Sequence, residues 1–226
     1  MEKIKYLDLL AQQGVDSAHP GGFSSTKALL QNEKFTSDMV LLDVGCGTGF
    51  TSVFIRTHYP CKVVAVDINS QMLEKARQKF ARHNLEIPLI HANAMDLPFR
   101  KNSFDIVLSE SVTIFTDIRK SLREYYRVLK PGGVLLATEA TALQTLTKTE
   151  AEEIQSVLDI SCLPTKEEWC ELFRDNNFGN VQVLYQHRMN LASTFSPEIY
   201  KVFHEYANTM FRHRKKVGFG VYRCKV

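Results

Sequence analysis

Nowhere in these 226 residues do eighteen apolar residues run together, so no transmembrane helix is expected. The opening Met-Glu-Lys-Ile-Lys-Tyr lacks the apolar stretch of a secretory leader. Cysteine is sparse and odd in number (Cys46, Cys61, Cys162, Cys170 and Cys224), with no Cys-x-x-Cys. That pattern argues against a disulfide framework and against a metal site with zinc-ligand spacing. A reducing, cytoplasmic setting is the expectation. Charge of one sign is also missing: 28 Lys and Arg against 25 Asp and Glu leave a net +3. So small an excess does not by itself argue for nucleic acid or a membrane surface. Internal repeats and low-complexity linkers are absent.

What remains, 44% hydrophobic and 23% charged, suits one α/β unit with a sizeable core. Residues 2–13 read as an amphipathic helix with Ile4, Leu7 and Leu10 at spacing three. His19-Pro20-Gly21-Gly22 is a turn, and Ser24–Leu30 a second helix. From residue 39 strands and helices alternate. The strands are expected at Met39–Val44, Lys62–Asp67, Ile87–Ala92, Phe104–Ser109 and Val134–Thr138. The helices between them are expected at Thr51–His58, Ser70–Asn84 and Ile118–Lys130. Pro131-Gly132-Gly133 stops the last of these helices. Such alternation implies a parallel sheet covered on both faces. Capping boxes are expected at Thr149–Glu152 and Thr165–Glu168. A sixth strand at Val181–Tyr185, a helix from Pro197 to about Arg212 and a seventh strand at Gly218–Lys225 complete the chain, with an antiparallel addition at one sheet edge.

Leu41-Leu-Asp-Val-Gly-Cys-Gly-Thr-Gly49 is the most informative stretch. An apolar strand runs into Asp43, then into glycines at alternate positions, then into a helix whose first N–H groups converge on one point. A dinucleotide fingerprint needs a third glycine where this chain has Phe50, and a P-loop needs a Lys that is not there. Asp67 closes the second strand, 18 residues beyond Gly49, where an acid can accept from both hydroxyls of a ribose. Asn93-Ala-Met-Asp-Leu-Pro-Phe99 follows the third strand, and Ser109-Glu110-Ser111 the fourth. Asp96 either caps its turn or meets the ligand. Met72 sits on a core stripe, and Cys46 reads as a small buried filler or a reactive thiol.

Over residues 37–140 the chain resembles the class I S-adenosylmethionine-dependent methyltransferases. The resemblance rests on the glycine loop, Asp67, Ala-Met-Asp-Leu-Pro-Phe, Phe-Asp-Ile-Val and Arg127-Val-Leu-Lys-Pro-Gly-Gly133. It is greatest with the small bacterial enzymes of ubiquinone and menaquinone biosynthesis. It implies a Rossmann-like, doubly wound sheet of seven strands, mostly parallel with an antiparallel last strand. A helical lid (1–36) would precede the methyltransferase domain (37–226). It also implies S-adenosylmethionine as cofactor and S-adenosylhomocysteine as product. Gly45, Cys46, Gly47 and Gly49 would cradle the methionine and ribose, with Asp43 holding the loop and the ammonium. Asp67 would take the ribose hydroxyls. Ile68 and Met72 would flank the adenine, with Asn93, Ala94 and Met95 at its edge. Ser109 and Glu110 would line the methyl-transfer side.

Candidate bases are His19, Glu110 and His91, the last expected inside a buried strand in a structural role. In the enzymes this chain resembles, an Asn/Asp-Pro-Pro-Tyr/Phe after the fourth strand grips a planar amide or amino nitrogen. This chain has Ser-Glu-Ser-Val there, so the resemblance argues against methylation of a nucleobase or a glutamine. The basic run Arg212-His-Arg-Lys-Lys216 reads as a solvated helix end suited to the helix dipole. The reading is a methyltransferase for a small metabolite, as a monomer or homodimer. The 1–36 appendage and residues 141–217 would form the acceptor's lid. A protein or RNA methyltransferase, or a cofactor-binding regulatory subunit without catalysis, are the alternatives.

Overall fold

The computed structural model describes residues 6–188 and 204–226. Two helices come first, α1 (Tyr6–Gln13) and α2 (Gly22–Leu30). The core alternates β1 (Val40–Val44), α3 (Phe50–His58), β2 (Lys62–Asp67), α4 (Ser70–Arg82), β3 (Leu89–His91) and β4 (Phe104–Glu110). A short 3-10 turn at Thr113–Phe115 leads to α5 (Ile118–Val128) and β5 (Leu129–Ala142). Then come α6 (Lys148–Leu158), α7 (Lys166–Asp175), β6 (Asn180–Arg188), α8 (His204–Arg212) and β7 (Val217–Lys225). The N-terminal part of the helix expected from Pro197 lies outside the described residues.

The seven strands lie in the order β3-β2-β1-β4-β5-β7-β6. β1 to β5 pair in parallel, and β7 runs antiparallel to both β5 and β6. The antiparallel strand is therefore enclosed, and the sheet's edges are β3 and β6. The strand order reverses between β1 and β4, the place where doubly wound sheets open a crevice.

Successive strand residues point to opposite faces, and the core divides accordingly. Leu42, Val44, Val107 and Leu135 pack with Leu122, Tyr125, Trp169 and Phe173 on one face. Leu41, Ala65, Leu108 and Leu136 pack with Ile55, Leu73 and Phe80 on the other. Trp169 is fully buried and its indole N–H donates to the Ala140 carbonyl at 3.0 Å, so its one polar atom is satisfied.

Several boundaries differ from expectation for local reasons. α5 ends at Val128, before the residue that precedes Pro131, where helical backbone is disfavoured. β5 starts at Leu129 and is much longer than expected because β7 pairs with it as far as Ala142. β3 is shortened to Leu89–His91; Pro88 has no N–H to give. The first capping box is Thr147 with Glu150, two residues earlier than the expected Thr149 with Glu152. The second is Thr165 with Glu168, as read. His91 is exposed, because β3 is an edge strand. No helix among the described residues is long and apolar enough to cross a membrane.

Candidate active site

At the carboxyl ends of β1, β2 and β4 lies a cavity of about 420 Å³. Its floor is the loop after β1. The Cys46 N–H continues the sheet ladder to the Val66 carbonyl at 2.9 Å. Asp67 then fixes the loop: Oδ2 accepts from the Gly47 N–H and Oδ1 from the Asn69 N–H, both at 2.8 Å. Each carboxylate oxygen keeps a further lone pair for a ligand hydroxyl. Gly45 has φ +66°, and a Cβ there would lie 2.3 Å from Val112. Gly45→Ala is expected to cost about 3 kcal/mol from left-handed strain and overpacking. The denaturant midpoint reads this; a loss under about 1 kcal/mol would mean that Val112 yields.

Asp43 is buried and accepts from Ser52 Oγ at 2.5 Å. Burial pushes its carboxyl up to about 7, against the pull of the Ser52 hydroxyl, with Glu110 and Asp67 adding repulsion. Burial also raises Asp67, opposed by the Asn69 and Gly47 N–H groups. The Cys46 thiol is pushed well up by burial, so it stays a neutral filler.

Glu110, at the end of β4, joins three elements. Its Oε1 accepts from Thr26 Oγ1 of α2 at 2.7 Å, and its Oε2 from Thr51 Oγ1 of α3 at 3.0 Å. His19 Nε2 lies 3.1 Å from Thr26 Oγ1 and 3.5 Å from Glu110 Oε1, with both side chains under one-tenth exposed. His19 Nδ1 lies 3.2 Å from the Pro20 carbonyl. Thr26 has one hydroxyl hydrogen and gives it to Glu110, so His19 Nε2 donates to Thr26. Nδ1 is then the nitrogen that faces the Pro20 carbonyl.

The structure brings His19, Asp43, Gly45, Cys46, Gly47, Asp67, Ile68, Met72, Asn93, Ala94, Met95 and Glu110 to the cavity wall. Two expected residues are not on it. Gly49 lies behind the loop, where a Cβ would meet the Phe80 ring at 2.5 Å. Ser109 is fully buried, near Thr113 Oγ1 at 3.1 Å and donating to Glu139 at 3.3 Å. Adjacent strand residues face opposite ways, so Glu110 can face the cavity and Ser109 cannot. His91 is also off the wall; its Nε2 meets the Ile68 carbonyl at 2.7 Å. Sequence reasoning missed Thr26, Thr51 and Ser17; only Thr51, in the first turn after the glycine loop, had a local signal.

The N-terminal segment roofs the cavity. Tyr6, Leu7 and Leu10 of α1 line it with Phe115 and Thr116 opposite. Tyr6 stacks on Phe115 at 6.0 Å and on Tyr206 of α8 at 4.6 Å. Asp16 accepts from both Thr48 and Lys79, and Lys75 donates to the Gln12 carbonyl at 3.1 Å. Among the described residues from 141 onward, none lines the cavity. The basic run is tied to α6: Arg212 and His213 meet Glu153, and Lys216 meets Glu150 at 2.8 Å. The helix end stays exposed at Arg212, Arg214 and Lys215, as expected, but it is tethered to α6 rather than free.

Glu139, fully buried on β5, accepts from the Thr113 and Ile114 N–H groups at 3.1 and 3.3 Å and so positions the turn that carries Phe115. Burial pushes its carboxyl up to about 7, against those bonds. Glu139 and Asp43 thus bind protons in the fold that the unfolded chain has released above about pH 4 to 5. Their contribution to stability is whole at low pH and is lost as pH rises toward about 7. The protein is expected to melt roughly 10 °C lower at pH 8.5 than at pH 5. Glu150, drawn down to about 2 by Lys216, acts only below that window. Scanning calorimetry checks this; a Tm that rises from pH 5 to 8.5 would refute it.

Comparison with known proteins agrees with this geometry. The methyltransferase-domain family profile matches residues 41–133. An uncharacterized methyltransferase of Bacillus subtilis, YodH, is 34% identical over 228 residues, covering 96% of this chain and 97% of its own. The demethylmenaquinone methyltransferase of Listeria monocytogenes is 38% identical over 122 residues, 51% of this chain and 49% of its own. In structure, phosphoethanolamine N-methyltransferase 2 of Haemonchus contortus superposes with a TM-score of 0.77 at 20% identity. That match covers 96% of this chain and 57% of the longer one, which was solved with S-adenosylhomocysteine. The chain belongs to the class I S-adenosylmethionine-dependent methyltransferases. Its residues suit that cofactor. Asp67 has lone pairs to spare, and a Cβ at Gly47 would meet nothing within 4 Å, leaving the backbone open to a ligand.

Proposed function

We propose that this methyltransferase acts on a small-molecule acceptor, with His19 as the base and Glu110 as its counter-charge. The observation that carries the reading is the buried contact of His19 and Thr26 with Glu110, which joins the N-terminal segment to the end of β4. The bound cofactor supplies a methyl group already activated by its sulfonium. The protein's work is then to orient the acceptor and to receive its proton. Positioning alone can lower a barrier by ~7 kcal/mol or more. Tyr6, Leu10 and Phe115 give the roof an apolar, aromatic inner surface that excludes water and suits a compact acceptor. A proton taken at His19 Nδ1 is held by the Pro20 carbonyl, and the positive ring is balanced by Glu110.

The demethylmenaquinone relative, matched over about half of each chain, lends support to a ring-bearing, quinone-type acceptor. Residues 6–36 serve as a lid, latched at Asp16 and at Thr26. A protein or RNA substrate has less support, because three of the five residues in the basic run are paired within the fold.

The test is to incubate the protein with methyl-labelled cofactor and a cell extract divided by size. Label is expected in the small-molecule fraction. Label confined to protein or RNA would overturn the reading.

A further inference from the structure

Six non-glycine residues among those described have a clearly positive φ. Four are Asn84, Asn102, Asp159 and Asn177, the residue types that tolerate this region. The other two, Ser17 and Ser111, are serines, and both line the cavity. Ser17 carries a second cost. Its Oγ is buried and makes no hydrogen bond. A strained backbone and an orphaned hydroxyl at one residue of a ligand cavity are the marks of a group held ready for something absent.

Its place indicates what that is. Asp16 bonds Thr48 of the glycine loop, and His19 meets Glu110. Ser17 stands between them in the chain and lines the same cavity. The adenosine end is assigned to Asp67, Asn93 and Met95, which also line the cavity. The cofactor's amino-acid end has an ammonium and a carboxylate. Asp43, on the cavity wall, suits the first. For the second the cavity offers no Lys or Arg among the described residues, since Lys79 and Lys75 are engaged by Asp16 and by the Gln12 carbonyl. The Thr48 and Thr51 hydroxyls are committed to Asp16 and Glu110. The Ser17 hydroxyl is free to donate.

We propose that Ser17 is a cofactor-binding residue, donating its hydroxyl hydrogen to the carboxylate of S-adenosylmethionine from the N-terminal lid. The lid is thereby part of the cofactor site as well as of the acceptor site. This inference needs the cofactor but not the His19 base, so the two succeed or fail separately.

Calorimetric titrations of the unaltered protein, Ser17→Ala and Ser17→Gly test it. The probes are S-adenosylhomocysteine and 5′-methylthioadenosine, a nucleoside without the amino-acid end. Both variants are expected to bind S-adenosylhomocysteine about tenfold more weakly and methylthioadenosine unchanged. Unliganded, they are expected to melt no lower than the unaltered protein, because an unpaired hydroxyl has been removed. Equal losses for both probes, no loss for either, or weaker binding that tracks a fall in Tm would overturn the proposal.

Discussion

Asp67→Ala is expected to raise the Kd for S-adenosylmethionine about a hundredfold. Two ribose hydroxyls donating to one carboxylate are worth about 3 kcal/mol together, which is that factor. The loss is larger in effect than the bond count, because the same carboxylate holds the Gly47 N–H and the Asn69 N–H. Without it the Gly47 N–H loses its bond to β2, and only the Cys46 N–H, on the Val66 carbonyl, still ties the loop to that strand. Asp67→Asn is expected to do little better, since its amide nitrogen would face one of those two N–H groups. Titration calorimetry measures both variants. Binding within threefold of the unaltered protein would remove Asp67 from the cofactor site.

Glu110→Gln is expected to slow turnover by 10²–10⁴, the range of general acid–base catalysis, while S-adenosylhomocysteine binds within threefold of its unaltered affinity. Glutamine keeps an acceptor for Thr26 or Thr51 but cannot balance a protonated His19. His19→Ala is expected to match it. The double variant is expected to be no slower than the slower single one, because the two residues work as a unit. Turnover is read by transfer of labelled methyl to the acceptor that the size partition identifies. Unchanged turnover in Glu110→Gln would remove the pair from the chemistry.

The parallel core was readable because its signals are local. Strand-helix alternation, the apolar β2 and the Asp-x-Gly-x-Gly-x-Gly turn each lie within a few residues, and the structure sets them at the switch between β1 and β4. The antiparallel addition was readable from two successive strands near the end of the chain and again from the resemblance, but the seat of β7 between β5 and β6 is a long-range pairing that no local pattern carries. The same limit explains the site. Glu110 stood out as a strand-end acid, yet its partners come from 84 and 59 residues earlier in the chain. Ser109 was misplaced by one step of strand alternation. The basic run looked free because its acids lie on α6, 59 to 66 residues away. Ser17 left no trace in the sequence, since neither backbone strain nor an orphaned hydroxyl is a property of residue type.

One measurement bears most directly on the whole account: titration calorimetry of the unaltered protein with S-adenosylmethionine, S-adenosylhomocysteine and NAD. One-to-one, micromolar binding of both sulfur ligands with no heat from NAD is the predicted result. Binding of NAD in their place, or no binding of either sulfur ligand, would contradict it.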